Sequence, residues 1–169
     1  MTVSRTLLLV SARVDDRLRR EVADGQRPRP EFVLLEEQHG VQLLDWSVLG
    51  ARNQRSGWLS TRHAAAALRR MDGVDVLFSD GEHVGIPLAL AMRALKINKP
   101  HLVLGHHLTT PAKARIFRRL HPDLAMSRIL VHSPLQRELA NRELGIPSEK
   151  LAVIPYYADA RFWKPGGRV

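Results

Sequence analysis

Residues 74–107 read VDVLFSDGEHVGIPLALAMRALKINKPHLVLGHH, and this stretch decides the fold. Val74, Val76, Leu77 and Phe78 form a short apolar, partly β-branched run that stops at Ser79-Asp80-Gly81. A run of that length, bounded by turn residues, predicts a strand buried on both faces. From Ile86 to Leu95 the apolar residues are nearly continuous, with Pro87 in a first helical turn, where no intrahelical donor is lost. The helix is expected to end near Lys96-Ile97-Asn98, because Pro100 disfavours helix in the residue before it. Leu102-Val103-Leu104 predicts a second buried strand, ending at Gly105-His106-His107. Strand, helix and strand of these lengths make a right-handed parallel βαβ crossover. In open parallel sheets, ligands collect in the crevice beyond the carboxyl ends of the strands. Glu82 and His83 follow the first strand, and His106 and His107 follow the second. That shared edge is the expected site.

Working outward, Leu7 to Val10 reads as a first buried strand, followed by Ser11-Ala12-Arg13 and a charged helix over residues 14–23 with Val14, Leu18 and Val22 at helical spacing. The Gly-Gln-Arg-Pro-Arg-Pro connection leads to a predicted strand at residues 32–35 and a short extended piece at residues 41–44. Residues 52–58 read as an exposed loop, and the Ala-rich residues 61–71 as a helix. Thr110-Pro111 opens a helix running to about Leu120. Residues 129–131 predict a strand, Ser133-Pro134 a helix to Leu144 stopped by Gly145, and residues 151–154 the last strand. Strands alternating with helices imply an α/β class: a single Rossmann-like domain with a mainly parallel sheet and helices on both faces. The domain is expected to span residues 1–165, with Pro165-Gly166-Gly167 opening a linker or tail over 166–169.

The whole chain narrows the function classes. Its 169 residues suit one domain with a sizeable core. There is no apolar run of 18 residues, and the first ten residues lack the pattern of a secretory signal. The absence of cysteine excludes disulfides and thiolate chemistry and accords with the cytoplasm. A formal charge of +9, from 26 basic and 17 acidic residues, favours phosphate-bearing partners, an anionic membrane surface or nucleic acid. No nucleic-acid motif accompanies the dispersed charges, so no nucleic-acid partner is expected. Trp46, Trp58 and Trp163 are expected to be packing residues, since no basic and aromatic interleaving surrounds them.

The run from Val74 onward resembles the N-terminal domain of family-4 glycosyltransferases, which are retaining enzymes of the two-domain GT-B fold. The most specific part is SRILVHSPLQRELANRELGIPSEKLAVIPYYADARFWKP, residues 127–165, which is similar to the family's strand, Ser, helix, Leu-Gly-Ile-Pro and Val-Ile-Pro progression. EHVGIPLALAMRALKINKPHLVLGHH adds a strand that follows Lys-Pro and ends in His. Where the family often has a Gly-rich loop after its first strand, this chain has Ser11-Ala12-Arg13. The resemblance implies the N-terminal half of a GT-B fold, the half that receives the acceptor. A nucleotide-sugar donor would be held by a C-terminal domain that these residues do not include. The expected activity is hexosyl transfer by a two-domain or split enzyme, with the isolated chain inactive. The expected acceptor is a sugar or a lipid, the location the cytoplasm or the inner membrane face, and no cofactor is expected. The alternative is a non-catalytic module that binds sugar, lipid or protein.

Read alone, His106 is a loop histidine at a strand end; the resemblance makes it the expected catalytic residue, donating a hydrogen bond to a sugar hydroxyl. His83 and the adjacent His107 are secondary candidates for substrate binding. Glu82 has two readings, an acceptor for substrate hydroxyls or a negative charge at the start of the following helix. Ser133 and Gln136 begin a helix after a strand, where backbone donors can hold an anion, and where capping by Ser133 is the simpler account. Lys113, Arg115, Arg118 and Arg119 form a basic stretch suited to a phosphorylated acceptor, an anionic lipid surface or a solvated helix face. No metal is expected, because Glu82, His83, His106 and His107 lack zincin spacing and a further strong ligand.

Overall fold

The computed structural model describes residues 4–50, 57–156 and 158–163. Among them are six strands: β1 (Thr6–Leu9), β2 (Gln42–Leu44), β3 (Val76–Ser79), β4 (His101–Gly105), β5 (Arg128–Val131) and β6 (Leu151–Val153). All pair in parallel in the order β2-β1-β3-β4-β5-β6. Six α-helices accompany them: α1 (Asp16–Ala23), α2 (Glu31–His39), α3 (Gly57–Leu68), α4 (Glu82–Ala94), α5 (Pro111–Leu120) and α6 (Pro134–Leu144). The strand order reverses at β1, whose two neighbours β2 and β3 lead the chain in opposite directions across the sheet. This is the doubly wound arrangement that leaves a crevice at the carboxyl edge.

The βαβ unit forms as the sequence implies, and α4 explains why its apolar run is unbroken. Val84, Leu88 and Met92, four residues apart, pack with Leu7, Leu9 and Leu77 and with α3. Ile86 and Ala89, on another side of the helix, pack with Val103, Ile129, Phe117 and α6. One helix thus serves two core clusters and has little need of a polar face. A fully buried Leu or Met in such a core contributes roughly 1.5–3 kcal/mol. Gly85 lets α4 approach β4 closely, since a Cβ there would stand 2.7 Å from Val103 Cγ1. On the opposite face of the sheet, α1 and α2 cover Leu8 and Val10 with Leu18, Phe32 and Val33. Leu102, Leu130 and Ala152, on that same face toward β6, are only partly buried.

Three expectations require correction. Residues 32–35 are helical, within α2, and not a strand. A four-residue apolar run fits either period; here Glu36, Glu37 and Gln38 continue the helix, and Gly40 ends it with φ 64°. Helix α4 begins at Glu82 and not at Ile86, so Pro87 lies inside it. Proline there has no N–H to give the carbonyl four residues earlier, that of His83. Trp58 belongs to α3 and is 69% exposed, with Arg62 4.7 Å above its ring; Trp163 is 64% exposed, and Trp46 alone of the three is core. The loop expected over 52–58 otherwise lies outside the described residues, as does the linker at 165–167.

Candidate functional site

The carboxyl ends of β1, β3 and β4 open on a cleft of about 620 Å³. Five residues singled out from the sequence line it: Glu82, His83, His106, His107 and Lys113. Ser11, Glu31, Asp80 and Tyr156 line it too.

Glu82 is 2% exposed and stands in the first turn of α4, where the helix dipole favours a carboxylate. It accepts the backbone N–H of His106 at 2.9 Å and of His107 at 3.2 Å, and the Lys113 ammonium. Lys113 also donates to the His107 carbonyl at 3.2 Å. Burial works to raise the Glu82 carboxyl, but the bonds from Lys113 and His106 more than offset it and hold its pKa below the usual 4.5. Glu82 therefore clasps the β4–α5 loop to α4. Of its two sequence readings, the structure supports the negative charge at the helix start, extended to a loop the sequence did not connect with it.

His106 occupies the crossing point of three loops. Its Nε2 lies 3.0 Å from the Asp80 carbonyl, which can only accept, so Nε2 carries the proton. Its Nδ1 is then an acceptor, 3.3 Å from His132 Nε2, which donates. The His132 ring stacks on Tyr156, with centroids 4.0 Å apart and planes inclined by 11°. Burial, and next the neighbouring His106, lower the His132 pKa. Both nitrogens of His106 are thus engaged within the protein, and its ring forms part of the cleft wall.

Asp80 was read in the sequence only as a turn residue, and its chemistry escaped notice. Its Oδ2 accepts the Ser11 N–H at 2.7 Å and the Ser11 hydroxyl at 3.0 Å, tying the loop after β1 to the end of β3. Its Oδ1 is shut off from water and has no hydrogen-bond partner. Burial pushes the carboxyl up to about 6; the Ser11 bonds oppose the rise, Glu31 adds to it and His106 opposes it. The Ser11 amide, where the resemblance would seek a phosphate contact, is committed to this carboxylate. His132 also escaped notice, although it follows β5 as His106 follows β4. Tyr156 lies three residues past the end of β6 and carried no pattern of its own.

The remaining candidates separate from the cleft. Ser133 caps α6 by accepting the Gln136 N–H at 3.1 Å. Gln136 bridges loops, accepting the His132 N–H at 2.7 Å and donating to the His106 carbonyl at 3.1 Å. It borders a smaller recess of about 120 Å³ beside His106 and His107. Arg115, Arg118 and Arg119 are exposed on α5 and make no ion pair among the described residues, whereas Lys113 turns inward. The expected basic stretch is therefore divided between cleft and surface. Among the described residues no three His, Asp or Glu side chains converge to hold a metal ion. No helix is long and apolar enough to cross a membrane.

Doubly wound topology and a polar crevice at the carboxyl edge define a Rossmann-like α/β domain. A sequence model of Glycosyltransferase Family 4 matches residues 7–161, and the chain belongs to that family. No curated protein sequence matches it. Among solved structures it is similar to MurG of Acinetobacter baumannii, at 13% identity and a TM-score of 0.44, over 91% of this chain and 46% of that one. The chain spans just under half the length of that protein.

Proposed function

We propose that this chain is the acceptor-binding half of a retaining hexosyltransferase of GT-B architecture, acting with a nucleotide-sugar donor held by a C-terminal domain outside these residues. Family membership supports transfer chemistry. The observation that carries the acceptor role is the cleft itself, where Asp80, His83, His106 and His107 border about 620 Å³ at the carboxyl edge. In this reading Glu82 and Lys113 hold the β4–α5 loop in place. His106, fixed by Asp80 and His132, presents its ring as the surface against which the acceptor sugar is oriented. Orientation of that kind lowers a barrier only when both reactants are held, and donor diphosphate neutralisation falls to the other half. Arg115, Arg118 and Arg119 face an anionic membrane surface, placing the acceptor at the cytoplasmic face.

The test is transfer of a labelled sugar by the chain alone and by the chain joined to a matching C-terminal half. The expected result is no turnover alone, turnover when joined, and a substantial loss in the joined His106→Ala variant. Robust turnover by the chain alone overturns the division of labour. Acceptor binding without turnover in any pairing leaves the chain a binding module.

A further inference from the structure

The protein sorts its charge between the two edges of the sheet. The charged groups among the described lining residues of the cleft are Glu31, Asp80, Glu82 and Lys113. At the opposite, amino edge, the segments leading into β4, β5 and β6 border an open recess of about 400 Å³. Its described lining includes Arg93, Lys96, Lys99 and Lys150 and no carboxylate. None of these cations makes an ion pair among the described residues. Backbone carbonyls hold three of them instead. Arg93 donates to the His121 carbonyl at 2.8 Å and to that of Leu120. Lys99 donates to the Met71 carbonyl at 2.6 Å and to that of Val74, and Lys150 to the Asp123 carbonyl at 2.6 Å. A carbonyl fixes a cation in place without cancelling its charge. An ammonium has three donors and a guanidinium five, so each still has a donor to offer. Ser127 Oγ, also in the lining, accepts the His101 N–H at 3.3 Å, which leaves its own proton to donate.

We propose that this amino-edge recess binds a phosphate group in its dianionic form, carried by a small soluble phosphate or by a lipid headgroup. Cations here also complement the negative C-terminal ends of α4 and α5, but each end carries only about half a charge. Asp75, whose charge Lys99 also senses, is already bonded to the Arg5 N–H at 2.9 Å and to the Arg5 guanidinium. An excess of about three positive charges is therefore left for a ligand. A phosphate group presents three strong acceptor oxygens, which suit convergent ammonium, guanidinium and hydroxyl donors. Lys99 and Lys150 are half-buried and bonded before any ligand arrives, so little side-chain freedom remains to be lost on binding. The site lies across the sheet from the cleft and stands whether or not the cleft receives an acceptor.

The experiment is an NMR titration of the 169-residue chain with inorganic phosphate, with chloride keeping the ionic strength constant. Phosphate is expected to shift the Lys96, Lys99 and Lys150 ammonium groups and the backbone amides of 96–99, 125–127 and 150. Its Kd should rise about tenfold in Lys150→Gln and in Lys96→Asn. Lys96 is exposed with φ 55°, a conformation that asparagine tolerates, so Lys96→Asn removes the charge without disturbing the backbone. Lys96→Arg should bind within about threefold of the parent, because it keeps the charge. A second arm measures sedimentation with phosphatidylcholine vesicles containing phosphatidic acid, whose headgroup is a phosphate monoester. Retention that falls in the Lys96→Asn, Lys150→Gln double variant assigns the recess to a lipid headgroup. Retention unchanged in that variant, with phosphate binding weakened, assigns it to a soluble phosphate. Shifts no larger than those caused by chloride, or a phosphate Kd unchanged by both substitutions, overturn the proposal.

Discussion

The Glu82 carboxylate at the start of α4 accepts the backbone N–H of His106, 24 residues later, at 2.9 Å. This bond joins the two strand ends that frame the cleft, and Lys113 completes it. Removing one partner of a buried ion pair leaves the other charge uncompensated. Glu82→Ala should therefore destabilise the fold by roughly 3–5 kcal/mol in urea unfolding at pH 7. Hydrogen exchange should quicken at the His106 and His107 amides before the rest of the sheet. Because the folded pKa lies below 4.5, the contribution is present above that pH and is lost as pH falls through the folded value.

His101 supplies a second pH dependence of known sign. It is buried in β4, its Nε2 3.0 Å from Ser79 Oγ, and burial pushes its pKa down from 6.5 to about 4. The unfolded chain takes up the proton first, so stability is full above pH 6.5 and is lost as pH falls toward 4. At about 1.4 kcal/mol per unit, the loss over that window is roughly 3 kcal/mol. Urea midpoints measured between pH 7.5 and 4 should show it, and His101→Gln should flatten the curve.

Asp80 has the opposite sign. Its folded pKa of about 6 exceeds the usual 3.8, so its contribution is greatest below pH 3.8 and is lost as pH rises through 6. Although the residue is only partly buried, the relevant oxygen is closed to water. Asp80→Asn should raise stability at pH 7.5 by roughly 1–3 kcal/mol and have little effect at pH 3.5.

The exposed arginines of α5 predict salt-sensitive docking. Vesicles containing anionic phosphatidylserine should retain the chain at low ionic strength, with each basic residue near the surface contributing about 1 kcal/mol. Arg115→Ala, Arg118→Ala and Arg119→Ala together should reduce sedimentation with such vesicles, while neutral phosphatidylcholine vesicles bind neither protein. Equal binding to both lipids would make this a solvated helix face.

Sequence alone determined the alternation of strands and helices, the parallel sheet, and the edge at which polar residues gather. Those features rest on local periodicity and on turn residues such as Ser79-Asp80-Gly81 and Gly145, which act over a few positions. The run Phe32 to Leu35 marks the limit, because four apolar residues satisfy both periods, and burial against Leu8 and Val10 is available to either. Tertiary structure alone decided which polar groups meet. Ser11 and Asp80 are 69 residues apart, and Glu82 and Lys113 are 31 apart. His106 and His132 come from successive strands. No local pattern encodes these pairings, because parallel strands bring their carboxyl ends side by side only after each crossover has closed. Whether a carboxylate there stays ionised, as Glu82 does, or is pushed toward its acid, as Asp80 is, depends on donors that arrive from elsewhere in the chain.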